Sequence, residues 1–300
     1  MDRIESMTLL VVTVQEGNLS AAARRLGIPL ATVSRNVANL EKHLGAKLLN
    51  RSNRQLALTD AGRAYFAACK RILDDLHEAE RVAAGEYVAP RGNLIVTAPI
   101  VFGRLHLVPI LVAFMEVYPD VDVRLVLSDG VADLVEENMD AALRIGVLPD
   151  SSLLATKIGE IRRIVCASPA YFEKCGMPQH PSDLRMHCCI TFEGQSRTES
   201  WNFGASGSVI VPIRSRLTAT TAEACVDAAR FGAGVTRVLS YQAEEPVRKG
   251  ELVLALEDFE PTPIPVNLVY RGGGLIPLKL RAFIDFVAPR LRARLNHSVR

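Results

Sequence analysis

The stretch SAAARRLGIPLATVSRNVANLE, residues 20–41, sets three consecutive alanines, a Gly-Ile-Pro break and a basic, hydroxyl-rich segment back to back. Val33, Val37, Leu40 and Leu44 fall at i, i+4, i+7 and i+11, which predicts a helix over about 30–43 with one apolar stripe turned inward. On the opposite side of a 3.6-residue period stand Ala31, Thr32, Arg35, Ala38, Asn39 and Lys42, with Ser34 at the edge. That outward side is small, polar and cationic, and it carries no acid.

Working outward, Asn18 or Ser20 can cap a short helix that runs to about Leu26 and stops at Gly27. Ala21 to Ala23 let another helix approach it closely. Met7, Leu10, Val11 and Val14 predict a first helix over about 3–16, ended by Gly17. Downstream, KLLNRSNRQLALT reads as two short strands, about 47–50 and 55–58, joined by a turn carrying Arg51, Ser52, Asn53 and Arg54. Three helices and a basic hairpin make the order of a winged helix-turn-helix, whose third helix is shaped to enter a DNA major groove about 12 Å wide. Arg35 and Asn39 have the chemistry to bond guanine and adenine edges, and Ala31, Thr32 and Ser34 can meet a thymine methyl or a phosphate. Arg51 and Arg54 would touch phosphates or a narrow minor groove.

The charge distribution agrees. The chain's net charge is only +2, yet residues 18–58 hold seven Lys or Arg against the single acid Glu41, while residues 91–300 balance to zero. A short basic module on a neutral body suits a polyanion at one end. The opening MDRIESMTLLVVTVQEG has an apolar run bracketed too closely by charge for a secretory segment, and no run approaches the ~20 apolar residues of a membrane span. A cytoplasmic protein with no membrane partner is expected. Six cysteines, Cys69, Cys166, Cys175, Cys188, Cys189 and Cys225, form no CxxC pair and have no histidines at zinc spacing. Buried, reduced thiols are the expectation; a thiol redox sensor is the sharper alternative. Cys188 and Cys189 suit it poorly, because in a strand they point to opposite faces.

From Thr59, a candidate N-cap, a long helix should run to about Glu86. Its seam of Tyr65, Cys69, Ile72, Leu76, Ala79 and Ala83 asks for a partner helix, hence a dimer. VAPRGN, 88–93, marks a linker. Beyond it apolar strands alternate with helices: 93–97, a helix to about Val117, 121–127, a helix from about Val131, 141–145, and further strands at 162–168, 188–192, 208–213, 234–239 and 265–270. The fold class is therefore α/β, a parallel or mixed sheet behind an all-α-rich N-terminal domain.

No GxSxG elbow, HExxH pair or strand–GxGxxG–helix frame occurs, so no enzyme, cofactor or metal is expected. His106, His180 and His187 are assigned to structure or surface. A binding cleft has better support: APIVFG after one strand, Ser128-Asp129 after another and TATT at 218–221 each precede a helix, and helix N-termini favour anions. Arg144 could pair with a ligand carboxylate, or internally with Asp140 or Asp129. Small hydroxyls and an arginine point to a carboxylate-bearing metabolite. A solute-binding protein or an enzyme using the same cleft are the competing classes; the basic segment counts against the first and the missing nucleophile–base pair against the second.

Residues 19–62, with their AA..L, VS, LE..LG, LL.R and LT.AG elements, resemble the N-terminal signature of LysR-type transcriptional regulators. LSDGVADLVEENMDAALRIGVLPDSSLLATKI and VCASPAYF extend the resemblance over nearly the whole chain. It implies a winged helix-turn-helix DNA-binding domain at 1–58, a dimerising linker helix at 59–90 and an effector-binding domain at 91–300. The last would hold two Rossmann-like lobes, 91–161 with 267–300, and 162–266, similar to type 2 periplasmic binding proteins. The resemblance further implies dimers paired into tetramers. It places a small organic effector between the lobes, near Ala98, Pro99, Ile100, Phe102, Ser128, Phe203 and Thr220. Two departures stand out: Pro29 where many members have a capping hydroxyl, and Pro99 where a hydroxyl often serves the effector.

Overall fold

The computed structural model describes residues 2–51, 56–83, 89–130, 139–149, 153–192, 200–272 and 276–298. They form two compact units, residues 1–89 and 90–300.

In the first unit, α1 (Arg3–Gln15) starts at Asp2, whose carboxylate accepts from the Ile4 and Glu5 N–H groups. Helix α2 (Leu19–Leu26) is capped by Asn18, whose Oδ1 accepts from Ala21 N at 2.7 Å. Gly27, at φ +65°, takes the left-handed conformation that lets the chain turn into α3 (Leu30–Leu44). Pro29 precedes α3 with no side-chain cap, as its lack of a hydroxyl requires. Ala22 and Ala23 are buried against Leu9 and Val33, so the small residues do allow the close helix pair. Val33, Val37 and Leu40 are buried, but Leu44 is 38% exposed. It sits in the last turn before Gly45, where the stripe has run past the packed neighbours.

Strands β1 (Leu49–Arg51) and β2 (Leu56–Leu58) pair antiparallel with Leu49 opposite Leu58. Helix α4 (Asp60–Ala83) follows Thr59, whose Oγ1 accepts from Gly62 N at 2.9 Å. The seam expected along α4 is partly used at home: Cys69 and Leu73 are buried with Leu10, Val37 and Leu40, and Tyr65 packs on the same cluster. Ile72 stays 44% exposed and Ala79 exposed. Glu86 lies outside the described residues, as does the side chain of Ala83.

The second unit holds two five-stranded mixed sheets of like design. The strands are β3 (Gly92–Ala98), β4 (Val121–Leu127), β5 (Ala141–Ile145), β6 (Leu153–Ile161), β7 (Arg163–Ala167), β8 (Cys188–Phe192), β9 (Ser200–Phe203), β10 (Val209–Pro212), β11 (Arg214–Ala219), β12 (Val235–Leu239), β13 (Val253–Ala255) and β14 (Ile264–Arg271). The first sheet runs β4-β3-β5-β14-β6 and the second β11-β8-β12-β7-β13. In each, three neighbouring strands are parallel and the last two joins are antiparallel. Strand β14 returns the chain to the first sheet from Ile264 onward. The segment 208–213, expected as one more strand of the series, instead pairs as β10 with β9 in a separate hairpin.

Between β3 and β4 a continuous helical segment comprises α5 (Ile100–Phe102), a π-helical turn (Gly103–Leu107) and α6 (Val108–Val117). By length and composition this 18-residue segment is apolar enough to cross a membrane, contrary to the expectation that no stretch would be. Its Val101, Phe102, Leu107, Ile110, Leu111 and Phe114 are core residues of the first sheet, packed with Phe283 and Val287 of α10. Helix α7 (Pro169–Cys175), helix α8 (Ala222–Arg230) and helix α9 (Ser240–Arg248) belong to the second sheet's surroundings, and α10 (Leu278–Ser298) ends the described chain. The helix expected from about Val131 lies outside the described residues.

Candidate functional site

Two regions carry the predicted site residues. On α3 the outward face is available: Ala31, Arg35, Asn39 and Lys42 are exposed, and Thr32 and Ser34 half-buried. The opposite stripe is anchored, with Val33 and Val37 fully buried, so the side chains project from a fixed rod.

A latch the sequence reading passed over holds the hairpin to this rod. The Glu41 carboxylate, itself buried, accepts from Leu48 N at 2.8 Å and Leu49 N at 3.1 Å, with Lys47 Nζ at 3.4 Å. Desolvation pushes its pKa up, but the two N–H donors and Lys47 outweigh this and hold it below the ordinary value. Arg51 ends β1 with its backbone in the ladder; its side chain and all of Arg54 lie outside what the structure describes.

In the second unit, the predicted effector residues sit around strand ends. Ala98 closes β3, and its carbonyl accepts from Ser128 N at 3.0 Å, just past β4. Pro99 is extended and caps nothing. Asp129 does the capping instead: its Oδ1 accepts from Ile100 N at 3.1 Å. A helix N-terminus expected to welcome an external anion thus already holds an internal carboxylate. Phe102 and Phe203 are fully buried, so they wall the region rather than project into it. Thr220 is exposed in the turn before α8, whose N-cap Thr221 accepts from Ala224 N. Arg144, on β5 opposite Asn267, is already engaged within the protein.

A cavity of about 680 Å³ lies among the π turn, α8, α9 and α10, lined by Arg104, His106, Glu223, Tyr241, Glu245 and Arg294 among others. None of the predicted effector residues lines it. Its charges are partly matched, with Arg104 3.8 Å from Glu223 and Arg248 4.0 Å from Glu245, and carboxylates slightly outnumber arginines in the lining. His106 forms a ring cluster with Phe102 and Tyr241, at 4.8 Å and 5.6 Å between centroids. Burial, with the Arg294 charge adding, pushes its pKa down to about 4. His187 is buried beside the Tyr171 hydroxyl, and His180 caps a 3₁₀ turn through Nδ1.

Sequence reasoning also passed over Arg163 and Arg237. They occupy positions of β7 and β12 on the face that carries Val165, Trp201 and Phe203. Arg237 stands over the Phe203 ring at 5.3 Å and the Trp201 ring at 6.0 Å. The available signal was a charge inside each of the otherwise apolar runs RRIVCAS and GVTRVL.

Cys166, Cys189 and Cys225 are buried, and burial pushes their thiol pKa values up to about 12, 12 and 11. Cys69 is raised for the same reason. Cys175 is exposed and Cys188 half-buried.

Comparison with known proteins bears on both regions. Residues 4–63 match the bacterial regulatory helix-turn-helix protein model of the lysR family, and residues 89–292 match the LysR substrate binding domain. An HTH-type transcriptional regulator of Xanthomonas campestris is 35% identical over 94% of this chain and 84% of its own. The regulator CrgA of Neisseria meningitidis is 33% identical over 96% of each. The crystallised CrgA aligns with a TM-score of 0.62 at 33% identity, covering 96% of this chain and 98% of that one. The full-length Vibrio cholerae virulence activator AphB gives 0.60 at 30% identity, covering 95% and 98%. With three helices and a strand hairpin in the first unit, two five-stranded sheets in the second, and these matches across both, the chain belongs to the LysR family of bacterial transcriptional regulators.

Proposed function

We propose that this LysR-type regulator reads duplex DNA with Ala31, Thr32, Ser34, Arg35 and Asn39, while Arg51 and Arg54 hold the flanking phosphates. The single observation that supports this most is the division of α3 into a buried apolar stripe and an exposed, acid-free polar side. Reading occurs from a homodimer, paired into a tetramer, with Ile72, Leu76 and Ala79 of α4 supplying the face for a second copy. A small organic effector binds between the two sheets near Ala98, Pro99, Ile100, Ser128, Arg144 and Thr220, against Phe102 and Phe203. It shifts the balance between lobe arrangements by binding one better than the other, and so changes the spacing of the DNA-reading heads. The protein acts in the cytoplasm and catalyses no reaction.

Footprinting on the DNA flanking its own gene, with and without a metabolite panel, tests this. Protection of two half-sites related by two-fold symmetry, altered by a metabolite, is the expected result. Absence of protection at every salt concentration would overturn the reading.

A further inference from the structure

Arg162 and Arg163 are chain neighbours with opposite fates. Arg162 is neutralised: its Nε lies 2.8 Å from Glu260, and an Nη lies 3.1 Å from Glu257. Arg163 makes no ion pair or hydrogen bond among the described residues, and neither does Arg237. The Nε of Arg237 is buried with no hydrogen-bond partner among the described residues; the Phe203 and Trp201 rings face the group but bring it no counter-charge. The register sets Arg237 opposite Val165 and Arg163 opposite Leu239, so the two guanidinium groups share one face of adjacent strands. Each is half-buried, and burial lowers the pKa of both; for Arg237, which also feels Arg163, it falls to about 9. At neutral pH both remain charged. Two adjacent, desolvated, unneutralised cations are costly unless something brings them an anion.

Hydroxyls extend this face. Thr236 pairs with Ile190 and Thr218 with Thr191, which puts Thr191 beside Arg237 and Thr218 beyond it on the same side of the sheet. Thr191 Oγ1 lies 3.0 Å from Thr218 Oγ1 and 2.7 Å from Ser215 Oγ. Thr191 and Thr218 stand at the C-terminal ends of parallel strands, where open α/β sheets take their ligands.

We propose that Arg163 and Arg237, with the Thr191 and Thr218 hydroxyls, form the subsite that binds the carboxylate of a small organic acid. This rests on the reading above that an effector controls the protein, and names the chemistry it presents. A guanidinium fork matches the two oxygens of a carboxylate, and the second guanidinium approaches from the side. The apolar Val165, Trp201 and Phe203 surroundings suit an organic body more than a heavily hydrated inorganic anion. The first sheet offers the contrast, since Asp129 occupies the helix end there and would repel the same group.

Trp201 is the chain's one tryptophan and lies within 6.0 Å of the Arg237 guanidinium, so it reports on the site directly. The full-length protein is titrated with succinate and with benzoate while Trp201 emission is followed; succinamide, benzamide and sulfate serve as comparisons. A saturable change with a carboxylate and none with the amides is expected, with half-saturation shifted at least tenfold upward in Arg163→Gln and Arg237→Gln. Without ligand, Arg237→Gln should melt at or above the wild-type temperature, because it removes an unneutralised charge; a purely structural arginine would give a lower one. No saturable response to either carboxylate, an equal response in the variants, or a response to sulfate alone overturns the proposal. DNA binding is measured on the same ligand-free samples: a wild type that ignores DNA refutes the regulator reading, whereas normal DNA binding with a silent titration refutes only the carboxylate site.

Discussion

Glu41, in the last turn of α3, accepts a hydrogen bond from the backbone N–H of Leu48 at 2.8 Å, tying the chain that enters β1 to that helix. The same carboxylate takes the Leu49 N–H. Glu41→Ala leaves both donors buried without a partner, which costs about 1–3 kcal/mol. The carboxyl pKa is lowered in the folded chain, so its contribution is complete above the ordinary value of 4.5 and is lost as pH falls below it. Thermal melts from pH 7 to pH 3 should show Glu41→Ala less stable at neutral pH and converging with the wild type in acid. A constant gap across that range would contradict the latch.

Gly62 meets the same wing from the other side. A Cβ there would stand 2.0 Å from the Leu48 carbonyl oxygen, which is backbone and cannot swing away. Gly62→Ala therefore shifts α4 or the wing, at a cost of about 1–3 kcal/mol, and weakens DNA binding. Unchanged melting and unchanged affinity would show that the approach is looser.

His106 predicts a separate acid response of the second unit. Its folded pKa of about 4 lies below the ordinary 6.5, so the unfolded chain binds the extra proton between those values. Stability should fall as pH drops through this window, by on the order of 3 kcal/mol, and level off below it. His106→Phe, which keeps a ring against Phe102 and Tyr241, should remove that dependence. Identical acid profiles for variant and wild type would refute it.

The thiols divide by exposure. Under native conditions at pH 7, iodoacetamide should label Cys175 first and leave Cys166, Cys189 and Cys225 intact, because thiolates react and burial disfavours them. Mass spectrometry of peptides reads the order. DNA binding should be equal in reductant and in peroxide; a footprint that changes with peroxide would restore the thiol-sensor alternative.

The sequence made the first unit legible because its signals are local. The Val33, Val37 and Leu40 stripe, the Asn18 cap and the Gly27 stop each depend on residues within two turns. Glu41 escaped because its partners are backbone groups seven and eight residues on, in a strand whose position no periodicity reports. Tyr65 and Cys69 looked like a dimer seam because an apolar stripe does not say which helix will cover it, and here the unit's own core does. In the second unit, β6 went unread because it is an edge strand with exposed residues on both faces. The Asp129 cap of Ile100 and the placing of Arg163 and Arg237 on one face of neighbouring strands depend on strand order, which one sequence does not display.

We propose that the outward side of α3 reads bases while the wing arginines only grip the backbone. Fluorescence anisotropy of the full-length protein on its footprinted operator, and on a panel of single-base-pair variants over a range of salt, tests it most directly. Arg35→Ala should lose about 1–3 kcal/mol on the operator and become indifferent to one base pair, whereas Arg51→Ala should weaken all duplexes alike and flatten the salt dependence by about one unit of slope. An Arg35→Ala protein with the wild-type ranking of the whole panel would show that α3 does not read bases through Arg35.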